Sequence, residues 1–179
     1  MAKTLANFPY FPQYDNKINP SGSCNVTSVA MCLAYGGIKG DGSGQLEDQL
    51  YKLCERHGYS RHDPYDLAAL VNERFGSNGM QDDFTPTGTL ENIKDAIDEG
   101  HPCVVHGYFT RFGHIIVIKG YNDKGFVVND PWGEYYPAGY DLTVDGEGLT
   151  YSYGLISRLC SPESPSNPRH IYLHRIYRK

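Results

Sequence analysis

Hydrophobic residues in the first hundred positions recur with the period of amphipathic helices. In Cys24–Tyr35 the apolar residues Val26, Val29, Ala30 and Leu33 share one face. Ser21 and Ser23 precede this segment as candidate N-caps. Three later segments show the same period and begin or end at capping residues, proline or glycine. The pattern therefore predicts helices over residues 24–35, 45–57, 63–75 and 89–99.

Beyond residue 100 the pattern changes to short β-branched and aromatic runs separated by turn residues. It predicts strands over residues 103–109, 114–121, 126–129 and 171–177. The sequence Asn-Asp-Lys-Gly at 122–125 predicts a hairpin between the second and third of them. The other predicted segments are an irregular stretch at 131–148, a short helix at 151–159 and a loop at 162–168.

Helices followed by strands indicate the α+β class, with a helical half packed on an antiparallel sheet. A chain of 179 residues is of the length of one domain, and we assign residues 1–179 to a single domain. The 15 tyrosines are typical of half-buried strand faces and a wet cleft.

Charge and hydropathy exclude several function classes. The net charge is −5 and no stripe of Lys or Arg is present, so we expect no nucleic-acid partner. No apolar run approaches 18 residues, so no membrane span is expected. Residues 1–10 lack the pattern of a signal peptide, which predicts synthesis in the cytoplasm. Any action outside the cell then needs another route of release.

The five cysteines are widely spaced and form no C-x-x-C pair, which argues against a structural zinc site and a disulfide framework. Four of them, Cys32, Cys54, Cys103 and Cys160, fit small buried hydrophobic positions. Cys24 differs because it stands where a loop ends and a helix begins. The amides and dipole of a helix N-terminus stabilise a thiolate, which is the nucleophilic form of cysteine.

Three further residues complete a candidate site around Cys24. Gln13 lies upstream in a loop, where its amide could stabilise an oxyanion together with the amide of Cys24. His114 begins one predicted hairpin strand and Asp130 follows the other. The hairpin therefore brings His114 and Asp130 to the same end, as a general base and its orienting carboxylate require.

The remaining candidates are weaker. Trp132 is placed to shield the histidine and aspartate from water. His170 and His174 share a face of the last predicted strand but lack further ligands. The segment 101–106 contains His101, Cys103 and His106 without a ligand pattern. We therefore expect neither a metal nor a cofactor.

Four segments together carry a resemblance to a known family. Pro-Tyr-Phe-Pro-Gln at 9–13, Ser-Cys-Asn-Val-Thr-Ser-Val-Ala-Met at 23–31, Gly-His-Ile-Ile-Val-Ile-Lys-Gly-Tyr at 113–121 and Asn-Asp-Pro-Trp-Gly at 129–133 occur in that order. Over about residues 8–135, they resemble the papain-like peptidases related to the double-glycine leader peptidases of bacteriocin exporters, in their stand-alone bacterial and phage branch. The resemblance implies Cys24 as nucleophile, His114 as base, Asp130 as orienting acid and Gln13 in the oxyanion hole.

The sequence also departs from that family. Cys-Asn-Val stands where Cys-Gly-Pro is common, and the segment from Gln13 to Cys24 is longer than in exporter peptidases. The leading hypothesis is hydrolysis of peptide or amide bonds in a peptide, a protein or the peptide part of peptidoglycan, as in a phage-type wall hydrolase. The alternatives are transglutaminase-like acyl transfer by the same residues and a catalytically inactive binding module.

Overall fold

Helices and one antiparallel sheet make up the fold, which confirms the predicted α+β class. A computed structural model of the chain describes residues 1–161 and 170–179, so the predicted loop at 162–168 lies outside the described residues. The helices are α1 (Cys24–Tyr35), α2 (Leu46–His57), α3 (Pro64–Arg74), α4 (Leu90–Asp98) and α5 (Tyr153–Leu159). The strands are β1 (Lys3–Thr4), β2 (Met80–Gly88), β3 (Cys103–Gly107), β4 (His114–Tyr121), β5 (Gly125–Asn129), β6 (Leu149–Ser152) and β7 (Ile171–Arg178).

The sheet has the strand order β2-β7-β3-β4-β5-β6, and β1 pairs with the far end of β4. Every pairing in it is antiparallel. The predicted hairpin joins β4 to β5, and the amide of Asn122 donates to the carbonyl of Gly125 across the turn. The sheet therefore places β3, β4 and β5 side by side, and their ends carry the candidate site.

Helix α1 is the central helix of the molecule. Its residues from Asn25 to Leu33 are all buried, so it is covered on more than its predicted apolar face. It packs on the sheet, and the hydroxyl of Ser28 donates to the carbonyl of Ile115 over 3.2 Å. This contact ties the helix to β4 one residue after His114.

The caps agree with the sequence at two helices and differ at a third. Thr89 and Asn92 form a capping box at α4, and Asp63 accepts from the amide of Tyr65 at α3. Ser23, one of the two predicted caps of α1, does occupy the N-cap position, but its side chain makes no capping hydrogen bond. The hydroxyl of Ser23 donates instead to the carbonyls of residues 18 and 19, because the 3-10 turn at Pro20–Gly22 brings those groups close.

Three strands were not predicted. Strand β2 contains two aspartates and a proline, which are depleted in strands, and its only strand partner in the described chain is β7. Strand β1 has two residues. Strand β6 ends at Ser152, and the predicted helix at 151–159 starts two residues late because Ser152 caps it by accepting from the amide of Leu155.

None of the helices in residues 1–161 and 170–179 is both long enough and apolar enough to cross a bilayer.

Candidate active site

Cys24 is the first residue of α1 and the only one of the five cysteines that is not fully buried. The other four are buried, as predicted, and their surroundings suppress ionisation. Burial raises the pKa of Cys54 to about 11 and that of Cys103 to about 12, and it raises the pKa values of Cys32 and Cys160 as well. The thiols of these four cysteines therefore stay protonated near neutral pH.

A tight turn fixes the position of His114 at the start of β4. Thr110 accepts from the amide of Gly113 through its carbonyl, and its hydroxyl donates to the carbonyl of Gly113 over 2.8 Å. Gly113 has φ +92°, a backbone conformation that side chains with a Cβ rarely adopt. Gly107 on β3 pairs directly with His114, so the histidine is held from both sides.

His114 and Asp130 meet at the end of the β4–β5 hairpin. The Nε2 atom of His114 lies 2.8 Å from Oδ1 of Asp130, and their side chains are 4% and 0% exposed. A carboxylate only accepts hydrogen bonds, so Nε2 carries the proton that is shared between them. The structure thus brings together the two residues that the hairpin argument paired.

The protonation of His114 depends on Asp130 and Cys24. Burial by itself lowers the pKa of this imidazole, but the charges of Asp130 and Cys24 and hydrogen bonds to both outweigh it, and the pKa rises to about 10. Because Nε2 faces Asp130, Nδ1 is the nitrogen that remains for the hydrogen bond with Cys24. The arrangement favours an imidazolium beside the sulfur at neutral pH.

Hydrogen bonds surround the carboxylate of Asp130. Its Oδ2 atom accepts from the hydroxyls of Tyr140 and Tyr151 over 2.8 and 2.7 Å, and Oδ1 also accepts from the backbone amide of Trp132 over 3.0 Å. Burial and the negative charge of Asp130 raise the pKa values of both tyrosines, so their hydroxyls stay protonated donors. Four donors, counting His114, therefore hold the carboxylate in one orientation.

The backbone of Asp130 is held as firmly as its side chain. Its amide donates to the carbonyl of Gly146, and its own carbonyl accepts from the hydroxyl of Tyr10 over 3.0 Å. That same hydroxyl accepts from the amide of Gly146. A Cβ at residue 146 would overlap the carbonyl of Asp130, so this close approach requires glycine.

Gln13 lies at the cleft with 1% of its surface exposed. Its Nε2 donates to the carbonyl of Pro20 over 3.0 Å, and its backbone amide donates to the carbonyl of Pro131. An amide nitrogen carries two protons, so one N–H of Gln13 remains after the bond to Pro20. Gln13 is thus anchored at the cleft wall, with one side-chain donor beyond its structural bond.

A cleft of about 570 Å³ joins these residues. Cys24, His114, Gln13 and Trp132 all line it, while Asp130 lies behind His114. Tyr108 and Phe112 stand at the cleft with 53% and 91% of their surfaces exposed. The cleft is thus lined both by Cys24 and His114 and by two exposed aromatic rings.

The weaker histidine candidates other than His170 have partners outside the reacting site. His101 stacks on Tyr177, and His170 precedes β7 rather than lying in it. His174 is fully buried and bonds to Asp82 and His106. Within the described residues, no three histidine, cysteine or acidic side chains are grouped as a metal site would require.

Sequence reasoning missed the residues that hold Asp130. Tyr140 and Tyr151 follow it by 10 and 21 positions, and Tyr10 precedes it by 120. The abundance of tyrosine was the one available signal, and it favoured a role at strand faces and a cleft.

The fold is that of the papain-like cysteine peptidases, with a cysteine-bearing helix packed on an antiparallel sheet that carries the histidine. The chain belongs to the Peptidase_C39 like family, whose profile matches residues 5–158. This match confirms the family resemblance and extends it beyond residue 135. Membership of this family assigns the chain to the peptidases.

A solved structure shows the same fold. The crystal structure of a C39-like peptidase from Bacillus anthracis aligns with a TM-score of 0.61 at 16% sequence identity. The alignment covers 100% of this chain and 99% of the other. A search of curated proteins found no match.

Proposed function

We propose that the chain is a cysteine peptidase that hydrolyses peptide bonds, with Cys24 as nucleophile, His114 as acid and base and Asp130 as the orienting carboxylate. One observation carries the proposal: the buried contact of 2.8 Å between His114 and Asp130, directly beside the cysteine that begins α1. A structural histidine does not need this combination of a buried carboxylate, a raised pKa and an accessible thiol.

The first half of the reaction forms a thioester. The Cys24 thiolate attacks the scissile carbonyl carbon, and the carbonyl oxygen takes up the negative charge. The backbone amide of Cys24 and the side chain of Gln13 donate to that oxygen. As the tetrahedral intermediate collapses, the imidazolium of His114 gives its Nδ1 proton to the leaving amine and the C–N bond breaks.

The second half releases the acid product. His114, now neutral, takes a proton from water, and the resulting hydroxide attacks the thioester carbon. Collapse of the second intermediate breaks the C–S bond and regenerates the thiolate beside the imidazolium. Asp130 keeps Nε2 protonated throughout, so Nδ1 is always the nitrogen that exchanges the proton.

The cleft supports a peptide as substrate. Tyr108, Phe112 and Trp132 line it together with Cys24, which suits apolar side chains on either side of a scissile bond. Peptidoglycan stem peptides and unfolded proteins are the two substrate classes that we propose to compare. Release of new amino groups from purified cell walls supports the first, and cleavage of a protein panel without action on walls supports the second.

The test is the Cys24→Ala variant on whichever substrate the parent cleaves. We expect a folded protein whose turnover falls by at least about 1000-fold, because the covalent route is lost. Cys32→Ala is the matched control, since it removes a buried cysteine of the same helix and should keep activity. A Cys24→Ala protein as active as the parent would contradict the proposal.

A further inference from the structure

A second set of hydrogen-bonded side chains lies on one face of the sheet and ends at the cleft. Oδ2 of Asp82 lies 2.8 Å from Nδ1 of His174, and Nε2 of His174 lies 2.9 Å from Nε2 of His106. The side chains of Asp82 and His174 are fully buried. His106 is half-buried and lines the same cleft as Cys24. The reaction proposed above uses none of the three.

Strand register explains why residues so distant in sequence meet. His174 on β7 pairs with Phe84 of β2 on one side and with Val104 of β3 on the other. Asp82 and His106 each lie two residues from those partners, and residues two apart share a face of a strand. The three side chains therefore cross three adjacent strands on one face of the sheet.

Aromatic packing fixes the orientation of the rings in this set. Phe84 packs on His174 with ring centroids 4.7 Å apart, and His106 stacks on His174 at 5.1 Å. Tyr172, which also lines the cleft, meets His106 edge to face at 6.0 Å. The ring of His106 is thereby held with Nε2 on the buried histidine.

Burial also determines where the protons lie. Oδ1 of Asp82 has no hydrogen-bond partner among the described residues, and a lone buried negative charge is costly. Burial raises the pKa of Asp82, and the cost of a lone charge at this fully buried site favours a net neutral Asp82–His174 pair. In a net neutral pair, Nε2 of His174 carries a proton whether the pair is ionic or uncharged. This N–H group therefore donates the hydrogen bond to Nε2 of His106.

His106 must accept that bond in its neutral form. Burial, and then the charge of His174, lower the pKa of His106 to about 3, so it stays uncharged near neutral pH. A neutral imidazole that accepts at Nε2 carries its proton on Nδ1. No hydrogen bond to Nδ1 occurs within residues 1–161 and 170–179, which leaves this donor for a ligand in the cleft.

We propose that His106 is a substrate-binding residue whose Nδ1–H donates to a backbone carbonyl oxygen of the bound peptide, and that Asp82 and His174 position it. The proposal rests on the peptidase function, because it needs a peptide in the cleft. It assigns a role in binding the peptide backbone to the β3–β7 side of the cleft, beside the reacting residues and not among them.

Two affinity labels that alkylate Cys24 test the substrate contact from both sides of the reacting carbon. An N-acyl dipeptidyl chloromethyl ketone places its peptide on the acyl side, and an N-iodoacetyl dipeptide amide places it on the leaving-group side. For one of the two, His106→Phe should raise the inhibition constant about tenfold, the effect of one lost hydrogen bond, and leave the maximal rate unchanged. Unchanged constants for both labels would overturn the proposal.

Two controls separate this contact from general damage. His106→Gln should keep most of the affinity, because its amide can accept from His174 and donate into the cleft. Iodoacetamide, which has no peptide portion, should alkylate Cys24 at the parent rate in both variants. If the parent itself shows no selective reaction at Cys24, the peptidase proposal fails. The tautomer of His106 is measured independently by spectroscopy.

That second measurement is ¹⁵N NMR of the histidine rings in the intact protein. We expect His106 as a single tautomer with protonated Nδ1 in the parent. In Asp82→Leu/His174→Phe, which replaces the buried pair by apolar groups, it should become a mixture of tautomers. Asp83→Asn is the control at a neighbouring aspartate that bonds to Arg175 and Tyr177. An unprotonated Nδ1 in the parent would overturn the positioning role.

Discussion

Asp130→Asn tests the electrostatic argument at its strongest point. The asparagine keeps the size of the side chain and can still accept from His114 and from the amide of Trp132 through Oδ1. Its amide group faces Tyr140 and Tyr151, whose hydroxyl oxygens can accept. The variant therefore removes the negative charge with little change in packing.

The expected magnitude follows from the pKa of His114. Its rise from 6.5 to about 10 corresponds to about 5 kcal/mol in favour of the imidazolium, and the charge of Asp130 is its largest favourable cause. Without that charge, burial favours the neutral ring. We expect alkylation of Cys24 by iodoacetamide at pH 6 to slow by about 100-fold, which is about 3 kcal/mol, because a neutral imidazole no longer stabilises the thiolate.

The assay follows alkylation at each cysteine by mass spectrometry as a function of pH. The four buried cysteines serve as internal controls, and Asp123→Asn, in the exposed β4–β5 turn, controls for the loss of a carboxylate elsewhere. In the parent we expect selective reaction at Cys24 well below pH 8, lost in His114→Ala. An Asp130→Asn protein with the parental rate and pH profile would refute the ion-pair argument.

Three further outcomes are expected. Tyr151→Phe removes a hydroxyl that donates to buried Asp130 over 2.7 Å, and it should lower the free energy of unfolding by about 2 kcal/mol. In a thermal scan the melting temperature should fall by about 4–8 °C, and an unchanged melting temperature would contradict this. Gly146→Ala should displace the backbone at Asp130 and lower turnover, and parental turnover in the same assay would contradict it. Because the pKa of His114 is raised from 6.5 to about 10, the charged ring adds to the free energy of unfolding. This contribution is fully present below pH 6.5 and is lost as the pH rises to about 10. Urea unfolding midpoints should therefore fall over that range, and fall less in His114→Gln; parallel slopes would contradict this.

The sequence predicted those parts of the fold whose signals are local. Helix α1 and strand β4 have the predicted bounds, because their apolar runs end at glycine or turn residues. The sequence did not predict strand β2, because the partners that stabilise this strand lie far away in sequence. The carboxylate of Asp82 bonds to His174, and that of Asp83 bonds to Arg175 and Tyr177, all of them on β7.

The candidate active site shows the same division between residues with a local sequence signal and residues whose contacts are distant in sequence. Cys24, His114 and Asp130 could be chosen because each stands at the end of an element whose type the sequence reveals. Tyr140 and Tyr151 could not, since Tyr140 lies in an irregular stretch and its contact with Asp130 depends on loop geometry. The hydrogen-bonded set from Asp82 to His106 needed the strand order, which brings β7 between β2 and β3.

That strand order also has a consequence for synthesis on the ribosome. Strand β7 is made last among the described elements, yet it lies between β2 and β3 within the sheet. A nascent chain in which Cys24, His114 and Asp130 have already emerged still has β2 without its neighbour and lacks the Tyr172 side of the cleft. Pairing over such long sequence separations is slow. We therefore expect completion of the cleft to be a late event of folding that follows emergence of residues 171–178 from the exit tunnel.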